Sequence, residues 1–240
     1  MLGNRKSVQF LISVIALLSM TFSGFGPSAM HAQPGDGLKR IRNAQSSRIS
    51  FISPESGAAM PASRALGTSL RPRDPGMALA KHFAPEFGIK NPERDLTEIK
   101  KNKLNGGHVS IRYQQNYQGI PVMGGELIVN TNANGDLYSI NGEISPNLSL
   151  PTQPKVDSKQ ATQTALQALA TLYQKPPSDF VASAPELWIY DESLLRPSTQ
   201  PAELVWRMEV TANENTLPVR ELVLVNAERG NLSRDRKSVV

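Results

Sequence analysis

The chain has 240 residues, a formal net charge of +5, 39% hydrophobic residues and no cysteine. Without cysteine there are no disulfides and no residue for a lipoprotein's acyl anchor, so burial alone must hold the fold together. The charge is modest and forms no sustained basic face with aromatic platforms, which argues against a nucleic-acid partner.

The first residues, MLGNRKSVQFLISVIALLSM, place Arg5 and Lys6 ahead of an apolar run from about Val8 to Phe25, with a cleavage edge near Ala32. This is the layout of a secretory signal peptide over 1–32. The run approaches bilayer-spanning length, but Ser13, Ser19, Thr21, Ser23 and the Gly26-Pro27 break favour a removed signal over an anchor. The mature chain is then exported, with no membrane partner. At the other end, residues 235–240 read DRKSVV, the in-frame translation of a common sequencing adapter running into its own stop codon. Residue 234 is accordingly expected to be near the last native one. Removing Arg5 and Lys6, then Asp235, Arg236 and Lys237, takes the net charge from +5 to +3 and then to +2.

Residues 33–73 are rich in Ser, Gly, Pro, Ala and Arg and read as an irregular lead-in, with one strand and turn in RISFISPESG (48–57). Its basic residues Lys39, Arg40, Arg42 and Arg48 are expected to be solvated. Asp74-Pro75 signals a helix start. Met77, Ala80, Phe83 and Phe87 give that helix a partial apolar face, Pro85 should kink or interrupt it, and Gly88 can close it.

Sheet pattern follows. In HVSIRYQQ (108–115), Val109, Ile111 and Tyr113 alternate with polar residues, predicting a half-buried strand. ELIVNT (126–131) and DLYSIN (136–141) flank Asn134-Gly135, a strong hairpin signal, and Asn141-Gly142 predicts another turn. One helix and an antiparallel meander thus make a first module over 74–148. Residues 149–155 read as a linker. Asp157 or Ser158 then caps a helix with Ala161, Ala165, Ala168, Leu169 and Leu172 on one face. Strands are predicted at 185–191, 203–211 and 219–227, the middle one alternating Leu204, Trp206, Met208 and Val210. The fold class is α+β: two small modules, 74–148 and 156–233, each a helix packed on an antiparallel sheet.

Residues able to carry catalysis are scarce. Beyond the signal there are only His82 and His108, and neither begins a His-Glu-x-x-His zinc motif. No serine sits in a Gly-x-Ser-x-Gly elbow, Asp191-Glu192 reads as a turn, and Gly106-Gly107 and Gly124-Gly125 are not phosphate cradles. The sequons at Asn147 and Asn231 identify no chemistry.

The stretch HVSIRYQQNYQGIPVMGGELIVNTNANGDLYSINGEI, residues 108–144, closely resembles the fungalysin/thermolysin propeptide (FTP) family. That pattern is a strand His-x-Arg-aromatic-x-Gln, then Gly-Val/Ile-Pro-Val-x-Gly-Gly, then an apolar strand and a Gly-bearing hairpin. Arg112, Tyr113 and Gln115 match the strand, with His108 two residues further from the arginine than the pattern asks. Tyr117, Gly119, Pro121, Val122, Gly124 and Gly125 match the central run, and Gly135 the hairpin. Segment 156–233 resembles the PepSY-type module that commonly follows; its NAERGNL, with Ala227 and Gly230, stands where that family has Asp-Ala-x-Thr-Gly-x-Val.

The resemblance implies cystatin-like/PepSY-like modules forming the pro-region of an exported thermolysin-like zinc protease. Such a pro-region assists folding of the catalytic domain in cis and inhibits it until cleavage, without activity of its own. Zinc and calcium are implied only for the catalytic domain, not for this chain. The alternative is a stand-alone exported protein that inhibits proteases in trans or binds another ligand. Gly119-Ile120-Pro121 is expected to form a tight turn, and Gly124-Gly125 to admit a bulge or a close backbone approach.

Overall fold

The computed structural model describes residues 35–213 and 219–233. The signal segment 1–32 and the tail 235–240 lie outside the described residues.

The lead-in is not irregular. Leu38–Arg42 (β1) and Ile49–Pro54 (β2) form an antiparallel hairpin, followed by a single helical turn at Ala62–Ala65 (α1). Leu38 and Ile52 are fully buried in the first core, and that burial is what recruits the segment. Arg40 is not solvated either. Its side chain is 9% exposed, and it donates to both oxygens of Glu86, at 2.6 and 3.0 Å, and reaches Asp36 at 2.8 Å. Glu86 belongs to the next helix, so this forked contact pins the hairpin to it.

That helix, Pro75–Phe87 (α2), starts where the sequence places it: the Asp74 carboxylate accepts from the Met77 N–H at 3.1 Å. Pro85 does not interrupt it. The ring sits in the last turn, where burial of Phe83, Ala84 and Phe87 and the Gly88 cap hold the helix despite one missing N–H donor. A short turn, Pro92–Asp95 (α3), leads into Leu96–Lys103 (β3), a strand the sequence pattern did not signal. Only its first residue is buried, so β3 has no alternation to read.

Val109–Tyr117 (β4), Ile120–Thr131 (β5) and Leu137–Glu143 (β6) complete the first sheet. The order across it is β1-β2-β6-β5-β4-β3, every pair antiparallel. The residues of α2 pack on Ile52, Ile111, Tyr113, Leu127, Val129, Leu137 and Ile140. Asn141-Gly142 is no turn. It lies inside β6, where Gly142 pairs with Leu127 and a side chain would strike the neighbouring strand.

The second module is built on Ser158–Tyr173 (α4). Asp157 is the cap; its carboxylate accepts from the Gln160 N–H at 2.8 Å, and the Gln160 side chain returns to the Asp157 N–H, a capping box. Asp157→Ala is expected to cost about 1 kcal/mol, read as a lowered urea midpoint with an unchanged slope. Ala161, Ala165 and Leu169 are buried as the pattern predicts, but Leu172 is 56% exposed and flanks an open groove.

Phe180–Ala182 (β7), Glu186–Tyr190 (β8), Glu203–Ala212 (β9) and Arg220–Asn226 (β10) form the sheet under α4. Strands β7 and β8 lie one after the other on one side of β9, and β10 lies on the other. The three-residue β7 is too short for sequence periodicity to reveal. Met208 and Val210 face α4 together with Val223 and Val225, while Val205 is buried on the opposite side with Tyr190 and Leu224. Strand β9 is therefore covered on both faces, more than its alternation suggests. Among the described residues no helix is long and apolar enough to cross a membrane.

Candidate functional site

The motif residues 108–144 converge on the junction between the two sheets. Strands β4 and β5 turn at Gln118-Gly119, whose φ values of 50° and 85° are those of a tight hairpin with Tyr117 opposite Ile120. Pro121 is already in the strand, opposite Asn116, so the turn lies one residue earlier than expected. The ladder then breaks. Gln114 pairs with Glu126 and Asn116 with Pro121, so residues 122–125 swing out opposite the single residue Gln115.

This excursion joins the modules. Val122, displaced from the first sheet, pairs in parallel with Ile189 of β8. Around that contact Val122, Ile189, Leu204 and Ala227 form a buried cluster, with Tyr117, Ile120 and Leu187 packed against it. Ala227 reaches it from the far end of β10: its N–H donates to the Leu204 carbonyl, and its own carbonyl accepts from Lys155 and Val156.

Two buried glutamines satisfy the backbone that the excursion strips of partners. The Gln114 amide nitrogen lies 2.6 Å from the Val122 carbonyl and 3.0 Å from those of Gly125 and Gln115. The Gln115 side chain acts as a substitute strand. Its Oε1 accepts from the Ser145 N–H at 2.9 Å, and its Nε2 donates to the Ser145 carbonyl at 2.7 Å. A Cβ on Gly125 would sit 2.6 Å from that Oε1, so glycine is needed for the amide to reach. Ser145 in turn donates its hydroxyl to the buried Asp191 carboxylate, which also accepts from the Ser193 N–H. Asp191 thus ties the end of β8 to the exit of the first module. The arrangement has hydrogen-bond acceptors and donors but no free nucleophile paired with a base; what it does is hold two sheets in register.

The other motif residues lie around this junction. Arg112 is ion-paired with Glu126 across β4 and β5. His108 precedes β4 and stacks on Tyr138, with ring centroids 4.7 Å apart. Gly124 packs near Leu194 and Leu195, Gly135 sits in the β5–β6 hairpin against Pro75, and Gly230 lies beside Val156. The sequence pattern does not single out Gln114 or Ser145, and it marks Asp191 only as a turn residue. The available signal was the pair Gln114-Gln115, which breaks the strand's polar/apolar alternation where the bulge begins.

Tyr113 is fully buried, and its hydroxyl has no hydrogen-bond partner among the described residues. Burial, then the Asp74 and Glu98 carboxylates, pushes its pKa well above the ordinary value of about 10. Because the folded pKa exceeds the unfolded one, the neutral phenol contributes fully below about pH 10 and its contribution fades as pH rises beyond that. Tyr113→Phe removes an unpaired polar group, so it should be neutral or stabilising at pH 7 and should move the alkaline unfolding midpoint upward. Thermal melts at pH 7 and pH 10.5 check both.

Residues 94–144 match the family model described as the Fungalysin/Thermolysin Propeptide Motif. Proteins named thermolysin from Alicyclobacillus acidocaldarius subsp. acidocaldarius, Bacillus caldolyticus and Bacillus sp. (strain EA1) are each 38% identical over 93 residues. That alignment takes in 38% of this chain and 17% of each relative, so the chain corresponds to a minor part of those proteins. Among solved structures, the Bacillus megaterium YpeB C-terminal domain aligns over 88% of both chains with a TM-score of 0.39 and 9% identity, a level that carries no functional argument.

Proposed function

We propose, from the match of residues 94–144 to a propeptide motif, that this chain is the pro-region of an exported thermolysin-like zinc metalloprotease. In this reading it has no catalytic activity of its own. It templates folding of the catalytic domain in cis and stays docked as an inhibitor until cleaved. Residues 74–148 are the FTP-like module, to which the β1–β2 hairpin adds, and 156–233 the PepSY-like one. Zinc and calcium belong to the catalytic domain.

A template lowers another domain's folding barrier through contacts made in the transition state, which helps most where folding is slow and passes through exposed intermediates. Val122 and Ile189 join the two helix-on-sheet units, and Gln115 and Asp191 secure the backbone there, so both can present one continuous surface. The absence of His-Glu-x-x-His from the sequence follows if the catalytic domain is encoded further along.

The test is the genomic reading frame past the codon for residue 234. The frame is expected to continue for several hundred residues and to encode His-Glu-x-x-His. A native stop codon there, with no protease following, would overturn the pro-region reading in favour of a stand-alone protein.

A further inference from the structure

Seven large apolar side chains are exposed among the described residues, and six of them sit on backbone that is already engaged. Ile41, Ile99 and Val181 lie in paired strands, and Leu172 lies in α4. The Leu104 N–H donates to the His108 carbonyl at 2.7 Å, and the Leu195 N–H to the Glu192 carbonyl at 3.0 Å. Leu70 differs. It is 81% exposed, the most of the seven, and its N–H has no partner among the described residues.

The loop around Leu70 is fastened at its ends. The Thr68 N–H donates to the Ser63 carbonyl at 2.8 Å, and the Asp74 carboxylate caps α2. Between them, residues 69–73 make no backbone–backbone hydrogen bond among the described residues. Of residues 67–74 all but Pro72 are exposed, and α1 ahead of them is a single turn, which opens at little cost. A protease cleft takes its substrate as an extended strand and bonds to its free backbone groups. Helices and paired strands must unfold to comply; this loop need not.

The two peptide bonds flanking Leu70 are not equivalent. The Leu70 carbonyl accepts from the Thr68 hydroxyl at 2.9 Å, and the Arg71 guanidinium pairs with Asp136 at 2.7 Å, so the bond between 70 and 71 is tethered on both sides. The Ser69 carbonyl has no partner among the described residues, which leaves it open to the donors that polarise a carbonyl under attack.

We propose that the bond between Ser69 and Leu70 is a processing site, where a protease with an apolar pocket on the amine side of its cleft opens the folded chain. Water adds across the bond: the hydroxyl joins the Ser69 carbonyl carbon, the C–N bond breaks, and the remaining hydrogen goes to the Leu70 nitrogen, the new amino terminus. The cut makes β1, β2 and α1 a detachable part of the first module. They then hold on only by contact, through Leu38 and Ile52 in the core, Arg40 on Glu86, and Met60 bridged to Leu137. The effective concentration supplied by the short link is lost, so stability of the module becomes concentration-dependent. The inference rests on the loop and stands whether or not the chain is a pro-region.

Limited digestion of the purified chain with a neutral metalloendopeptidase that cuts on the amino side of large apolar residues tests it. Mass mapping is expected to place the first cut within residues 35–213 between 69 and 70. Leu70→Asp is expected to slow that cut roughly tenfold or more, with the melting temperature of the intact chain unchanged, while Leu70→Phe is cut like the parent. The cut chain is expected to melt below the intact one, at a temperature that rises with protein concentration. A first cut at another bond within 35–213, or Leu70→Asp cut as fast as the parent, would overturn the proposal. So would a cut chain that melts like the intact one at every concentration.

Discussion

Gly142→Ala is expected to destabilise the first module by about 3 kcal/mol, the upper range for forced overpacking. In a chain of this size that lowers the melting temperature by roughly 10 °C. Gly142 sits in β6 opposite Leu127. A Cβ there would lie 2.0 Å from the Glu126 carbonyl oxygen and 3.0 Å from the Leu127 Cα. These are backbone atoms, and Glu126 is where β5 re-enters the ladder after the excursion. No rotamer change relieves the contact, so the strands themselves must part. Differential scanning calorimetry of the single variant checks this; a melting temperature within 2 °C of the parent would show that the strands yield easily.

Gln115→Leu is the second large effect, with an expected loss of about 2–4 kcal/mol. Leucine is of similar size and fills the space, so the cost is not a cavity. It comes from leaving the N–H and carbonyl of Ser145, a residue 2% exposed, without the side-chain amide that now pairs both. Because Ser145 also holds Asp191, the loss should propagate to the junction. Urea denaturation should show a lowered midpoint, and the Ser145 amide should exchange far faster. A variant as stable as the parent would mean that water replaces the lost partners and that the glutamine is not required at the junction.

Much of the fold was legible where a single element carries its own signal. The alternation of Ile111 and Tyr113, the Asp74-Pro75 and Asp157 helix starts, the Asn134-Gly135 hairpin and the Met208/Val210 face all depend on near neighbours in sequence, and the structure shows each. What escaped depends on distant partners. Strand β1 and the buried Arg40 are set by Glu86, 46 residues away, and by the core that receives Leu38. Asn141-Gly142 has the composition of a turn, but the approach of the Glu126 carbonyl makes it a strand position. Pro85 is tolerated because two buried phenylalanines hold its turn.

The candidate site divides in the same way. The glycines and Pro121 stand out as a pattern, yet their common purpose, freeing residues 122–125 to meet β8, appears only once Ile189 is in place more than 60 residues later. Ser145 and Asp191 carry no local signature, since a serine before a proline and an acid after a strand are ordinary turn residues.

The central claim is that this two-module body restrains a thermolysin-like active site. The most direct measurement is the peptide-hydrolysing rate of the catalytic domain proposed to follow residue 234, with and without the purified chain added in trans. The account predicts progressive, saturable inhibition, and faster recovery of activity when the denatured catalytic domain is refolded with the chain present. An undiminished rate at excess chain, together with refolding no faster than in its absence, would contradict it.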